Sequence, residues 1–185
     1  MVVRQDRRGA RVRHSRPRVA VVVLLVMGLA AAGMAGGAAS WCLGLGALGP
    51  VRTGMSTAQV LPLADWSGLA RRQPAGDCWY LRYEGDGSDF DLMVIGDRVV
   101  RIELKGASKL HTLSGAGIGS SEAELRHLYG ARLDVQPHKY DPQGHTITWR
   151  SPDGEYGLRF ETSGGKVTAI QSGPWEHLHY VEGCS

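Results

Sequence analysis

Two stretches of this chain repeat one another, and that self-similarity limits the architecture more than any other feature. Gly54-Met55-Ser56-Thr57-Ala58-Gln59-Val60 returns as Gly119-Ser120-Ser121-Glu122-Ala123-Glu124-Leu125, an offset of 65. In each copy a Ser is followed three residues later by Gln or Glu. This is a capping box, in which the two side chains satisfy each other's orphan backbone N–H groups at a helix start. Val60, Leu63 and Ala64 correspond to Leu125, Leu128 and Tyr129, the i, i+3, i+4 spacing of one helix face. The second helix is predicted over Glu122–Tyr129, stopping at Gly130, a residue suited to the position past a helix end. Pro62 lacks an N–H and clashes in a helix interior, so the first helix is predicted to be short or kinked.

A second match lies downstream. Gly96-Asp97-Arg98-Val99-Val100-Arg101-Ile102 parallels Gly164-Gly165-Lys166-Val167-Thr168-Ala169-Ile170, at an offset of 68. Gly-Asp and Gly-Gly are hairpin turns, and the β-branched runs after them read as strands. Strands are predicted at 78–83, 90–95 and 98–104 in the first half, and at 145–150, 156–161 and 166–171 in the second. Alternation in Tyr156-Gly157-Leu158-Arg159-Phe160-Glu161 predicts a sheet with one face on a core and one face wet. The expected fold class is therefore α+β: two diverged repeats, each a helix plus a three-stranded antiparallel sheet, following an N-terminal hydrophobic helix. The expected boundaries are 1–39 for the leader, 40–48 for a Gly-rich linker, 49–111 and 112–173 for the repeats, and 174–185 for a C-terminal tail.

The leader carries seven arginines, Arg4 to Arg18, and then Val19–Ala39, which is apolar throughout and ends in small residues. Those are the parts of a secretory signal. An uncleaved anchor is the alternative, because about 20 apolar residues can span a bilayer. The arginines place the N-terminus in the cytoplasm in both cases. The expected location is periplasmic or secreted, or else inner-membrane anchored with the domain outside the cytoplasm. Trp41 is too bulky for the residue before a lipidated cysteine at Cys42.

Of the 21 basic and 18 acidic residues, 14 and 17 lie beyond the leader, a net charge of −3. A mildly acidic surface has no excess of cations to displace counterions from a phosphate backbone, so nucleic acid is not an expected partner. The three cysteines are Cys42, Cys78 and Cys184. In an oxidising compartment two should pair. Cys78–Cys184 is the favoured bridge, because both flank strand or chain-end signals whereas Cys42 sits in the Gly-rich approach. It would tie down the tail.

Sequences that begin a domain with Gly49-Pro50, Gly54, Met55 and Ser56 resemble outer-membrane assembly lipoproteins of the BamE (SmpA/OmlA) type, and the Gly96–Val100 hairpin is similar too. The tandem over 49–173 resembles the beta-lactamase inhibitor protein, a tandem of the same helix-plus-sheet unit. The second half, with its Val181-Glu182-Gly183-Cys184 ending, also resembles small bacterial exported proteins, some labelled lectins. The resemblance implies a non-enzymatic periplasmic or extracellular protein whose sheet face grips a partner.

His177 and His179, two apart, would share one side of a strand and could begin a metal site. His138, His145 and Glu176 are candidates for the further ligands such a site needs, and no cofactor is expected. Asp86, Asp89 and Asp91 form an acidic stretch without the calcium-loop spacing, read as a hairpin loop. His138 and His145 flank a turn, but there is no nucleophile elbow, His-Glu-x-x-His pair or phosphate loop. The residues expected to form a contact surface are Trp79, Tyr83, Trp149 and Trp175, because exposed aromatics on a sheet are rigid and amphipathic. The expected function is a binding module for a protein partner in the cell envelope. A carbohydrate-binding protein is the alternative and a small hydrolase the third. Contact with a membrane is expected only through residues 19–39.

Overall fold

The computed structural model describes residues 41–63, 77–85 and 87–184, together with the backbone of 69–71. The leader, Trp66 and Asp86 lie outside the described residues. Among the described residues no helix is long and apolar enough to cross a membrane; the signal or anchor expected at 19–39 falls outside them.

Three short strands open the fold: β1 (Cys42–Gly44), β2 (Ala47–Leu48) and β3 (Val51–Arg52). They are followed by helix α1 (Thr57–Val60), then β4 (Leu69–Arg71), β5 (Cys78–Tyr83), β6 (Phe90–Ile95), β7 (Arg98–Lys105) and β8 (His111–Thr112). The second half runs through α2 (Glu122–Tyr129), β9 (Leu133–Pro137), β10 (His145–Arg150), β11 (Tyr156–Ser163) and β12 (Lys166–Pro174). A 3₁₀ turn at Trp175–His179 leads into the tail.

Strands β4-β5-β6-β7-β12-β11-β10-β9 form one eight-stranded sheet. Every neighbouring pair in it is antiparallel. The halves meet at β7 and β12, where Leu104 faces Ile170 and Glu103 faces Gln171. A second sheet has the order β3-β2-β1-β8, with β8 parallel to β1.

This overturns the expected α+β class. The protein is mostly β, with one continuous sheet across both halves in place of two helix-plus-three-strand units. The two α-helices among the described residues, of four and eight residues, are too short to build a layer of their own. Both capping boxes form, at Ser56 with Gln59 and at Ser121 with Glu124. Pro62 nevertheless lets only a 3₁₀ turn, Leu61–Leu63, follow α1. Gly130, at φ +66, stops α2. The Gly-rich approach is structured as well: β1 and β2 lie in it, and Leu43 and Leu48 are fully buried.

The core sits on one face of the large sheet. Phe90, Leu92, Ile102, Leu104, Ile147, Phe160 and Ile170 form it with Val60 of α1, Leu125 of α2 and the leucines of the small sheet. Each helix thus contributes a single buried anchor. Fully burying such a side chain is worth about 1.5–3 kcal/mol. That packing, more than helix propensity, holds elements this short.

Candidate functional site

The opposite face of the large sheet is polar. Register aligns Arg82, Asp91, Glu103, Gln171, Arg159, Thr148 and Asp134 in one row across seven strands. Asp91, Glu103, Arg159 and Gln171 are buried all the same, as is Arg101 beside them. Arg82 donates from Nε and Nη2 to the two Asp91 carboxylate oxygens at 2.7 and 2.8 Å, and Lys105 Nζ lies 2.5 Å from Asp91 Oδ2. Arg101 donates to Glu103 Oε1 from Nε at 2.9 Å and Nη2 at 2.7 Å. Arg159 donates to Gln171 at 3.2 Å and pairs with Glu161 at 3.2 Å. Asp91 lies in β6, as the strand expected over 90–95 requires, but it is buried and does not belong to the exposed acidic loop also expected to include it. Asp89 accepts the Gly85 N–H at 3.1 Å and closes that turn.

Burial opposes the charge on Asp91, but the hydrogen bonds from Arg82 and Lys105 outweigh it and hold the carboxyl below its ordinary pKa. Burial, aided by the Glu103 charge, pushes the Tyr80 phenol up to about 12. A depressed carboxylate contributes stability above the unfolded-state pKa and loses it as pH falls through the folded one. Acid unfolding should therefore include Asp91 protonation at a pH below about 3.9. D91N should flatten the pH dependence of stability there, as urea unfolding at stepped pH would show. An unchanged slope would remove Asp91 from the acid transition.

The tail covers part of this face. Arg101 Nη1 donates to the carbonyls of His177 and Tyr180, at 3.0 and 2.9 Å. Gly183 packs so closely on Tyr80 that a Cβ there would lie 2.4 Å from the phenol oxygen. Cys184 is disulfide-bonded to Cys78 at the start of β5, the expected pairing, and Cys42 is free and exposed. Glu182 accepts hydrogen bonds from Tyr140 and, at 2.5 Å, from Lys139. The face expected to be wet is therefore filled by its own ion pairs and, in part, by the chain end.

The four aromatics proposed from sequence do not share a surface. Trp79 points into the core and is only 9% exposed, so it fills space instead of offering contact. Tyr83 stacks on Phe90, with ring centroids 5.2 Å apart, at the mouth of the Arg82–Asp91–Lys105 cleft. Trp175 has the Arg150 guanidinium 4.8 Å from its ring and the His179 edge 4.8 Å away, so its indole is already engaged. Trp149 lies beside Tyr129, at 6.0 Å, and opens onto a separate cleft.

His177 and His179 do not lie on a strand. Pro174 ends the ladder and both histidines fall in the 3₁₀ turn, where residues two apart point in different directions. His177 packs on Tyr180 and His179 on Trp175. Among the described residues no group of three or more His, Cys, Asp or Glu is placed to hold a metal ion. His138 and His145 also stay apart in their bonding. His138 Nδ1 accepts the N–H groups of Tyr140 and Asp141, whereas His145 Nδ1 lies 2.7 Å from Glu122.

The cleft at Trp149 is an open, mainly apolar site, in contrast to the charged cleft at Arg82, Asp91 and Lys105. It holds about 390 Å³ and is walled by Leu43, Leu45, Leu113, Leu128, Tyr129, Trp149 and Leu158, with Arg132 and the Thr112 and Ser114 residues also lining it. Leu113 is 77% exposed, Leu45 40% and Leu128 38%. Three local structures place these side chains. Leu45 rides the turn between β1 and β2, where Gly46, at φ +61, donates to Ser172 Oγ at 2.8 Å and that hydroxyl donates to Gly44 O at 2.6 Å. Leu113 follows β8, its N–H bonded to Leu43 O at 2.9 Å, in a turn tied by Ala116 N–H to Thr112 Oγ1 at 3.0 Å. Leu128 and Tyr129 come from the end of α2, and the Tyr129 hydroxyl is 2.8 Å from Thr112 Oγ1. Burial raises the Tyr129 pKa, and the Thr112 and Ser114 hydroxyls partly offset it.

Sequence reasoning chose Trp149 but missed Leu45, Leu113 and Arg132. The available signal was a leucine at each of two glycine-rich turns, Gly44-Leu45-Gly46 and Leu113-Ser114-Gly115. Turn tips are ordinarily polar or small. No known family model matches the chain, and no curated protein matches it.

Proposed function

We propose that this chain is an exported, non-enzymatic binding module that recognises a protein partner in the cell envelope through the cleft at Trp149. The observation that carries the reading is the clustering of Leu45, Leu113 and Leu128, all exposed, around one concave site. Scattered apolar side chains are normal on a surface, whereas a contiguous apolar cleft marks an interaction site. Trp149 and Tyr129 supply the rigid aromatic wall found at interface centres. The disulfide supports an oxidising compartment, periplasmic or secreted, with membrane anchoring through residues 19–39 as the alternative. The resemblance of Gly49–Ser56 to exported envelope proteins supports the same compartment.

The test is site-specific photocrosslinking of the exported full chain. A photoreactive residue at Leu113 should yield an adduct of discrete mass that W149A abolishes, while one at Arg98, away from the cleft, should not. Equal adducts from both positions, or none from Leu113, would refute the assignment of the site.

A carbohydrate ligand is the second reading. It is favoured by the Thr112 and Tyr129 hydroxyls lying in the cleft that also holds the Trp149 ring. A glycan array would show saturable binding that W149A removes; a blank array discards this reading.

A further inference from the structure

Arg132 lines the apolar cleft and is exposed. Among the described residues its guanidinium has no hydrogen-bond or ion-pair partner. Three arginines of the large sheet contrast with it: Arg82, Arg101 and Arg159 each meet a carboxylate. No Asp or Glu lines the cleft. The site therefore combines apolar walls with one unneutralised cation, and its complement is a ligand with an apolar body and a single anionic end.

We propose that the cleft binds a single-chain fatty carboxylate, with the alkyl chain against Leu45, Leu113, Leu128 and Trp149 and the carboxylate at Arg132. Apolar burial supplies the affinity, and the positive charge of Arg132 selects the headgroup. A cavity of about 390 Å³ is within the range of small-ligand sites. The backbone turns that carry Leu45 and Leu113 are held by the hydrogen bonds of Gly46 with Ser172, Ser172 with Gly44, and Ala116 with Thr112. The proposal deepens the reading of the same cleft as a partner site, on which it rests: an alkyl chain lying there occludes the walls that a partner's apolar side chains would use, so fatty carboxylate would act as a competitor.

The experiment uses the exported, disulfide-intact full chain and a dodecanoate probe carrying a diazirine on its alkyl chain, with labelled peptides mapped by mass spectrometry. Labelling should concentrate on the peptides bearing Leu113 and Leu128. Unmodified dodecanoate should compete, and dodecyltrimethylammonium, with the opposite charge, should not. R132Q should raise the half-saturating probe concentration about two- to fivefold, the effect of losing one solvent-exposed ion pair, and R132K should restore it. L113D, at a position exposed enough to leave folding intact, should also lower labelling by placing a carboxylate at the mouth. Equal competition by the cationic amphiphile, or labelling unchanged in both R132Q and L113D, overturns the proposal. Leu113-directed protein adducts that persist in that case leave the partner reading standing; their loss together with the lipid labelling would end both.

Discussion

Replacing both Cys78 and Cys184 with serine is expected to lower the stability by about 4–5 kcal/mol, the loop-closure value for a bridge spanning on the order of 100 residues. The bridge joins residues 106 apart. Its removal lets the unfolded chain recover most of that conformational freedom, and it weakens the native state as well. The tail from His177 onward is also held by the Arg101 bonds to the His177 and Tyr180 carbonyls and by the exposed Glu182 contacts with Lys139 and Tyr140. Exposed ion pairs of that kind are worth at most about 1 kcal/mol. Two measurements separate the contributions. Denaturant unfolding of the double variant against the parent gives the total. Limited proteolysis under native conditions reports whether the chain after residue 180 has come loose. A stability loss below about 1 kcal/mol would mean that the bridge adds little constraint beyond what the buried Leu178 and the Arg101 contacts already impose.

The disulfide was legible because the arginines and apolar run ahead of Trp41 led to the expectation of an oxidising compartment, in which two of three cysteines should pair. The strands were legible for a local reason. Gly-Asp at 96–97 and Gly-Gly at 164–165 favour tight hairpin turns, and both turns are present with positive φ. The end of α2 at Gly130 is local too. What sequence could not convey is how the halves combine. Nothing in Arg98–Lys105 or Lys166–Pro174 alone specifies that these two strands pair, because pairing is decided by which edges remain open once each hairpin has formed. The same limit explains the misreading of Asp91 and Trp79. Asp91 sits beside acidic loop residues in the chain, but in space it lies between Arg82 and Lys105. Trp79 has the composition of a contact residue, but the alternation of β5 turns it inward with Leu81. Trp149 obeys the same alternation and also faces the helices, yet it falls where α2 has ended and the cover is incomplete. Exposure of an aromatic is thus decided by where the covering element stops, which one strand's sequence does not contain.

The polar face makes the second large prediction. Arg101→Ala is expected to cost about 3–5 kcal/mol, the penalty for breaking a buried ion pair by removing one partner. Glu103 would keep its charge in a buried position, and the carbonyls of His177 and Tyr180 would lose the donor that both share. The pair's own net worth is far smaller than that cost, because forming it required stripping water from both ions. The two quantities can be told apart with R101M/E103L, which fills the space and removes both charges. Its loss should be a small fraction of the R101A loss, and the Tyr80 phenol should then titrate below about 12, because the upward push of Glu103 that is lost exceeds the downward pull of Arg101 that is lost with it. Chemical denaturation supplies the stabilities, and ultraviolet difference titration supplies the phenol. If R101A and R101M/E103L prove equally destabilising, the guanidinium is irreplaceable for holding the tail carbonyls, and the ion pair contributes nothing beyond that anchoring. If R101A alone costs under about 1 kcal/mol, the face is wet enough for water to take over the role of Arg101, and the tail does not seal it.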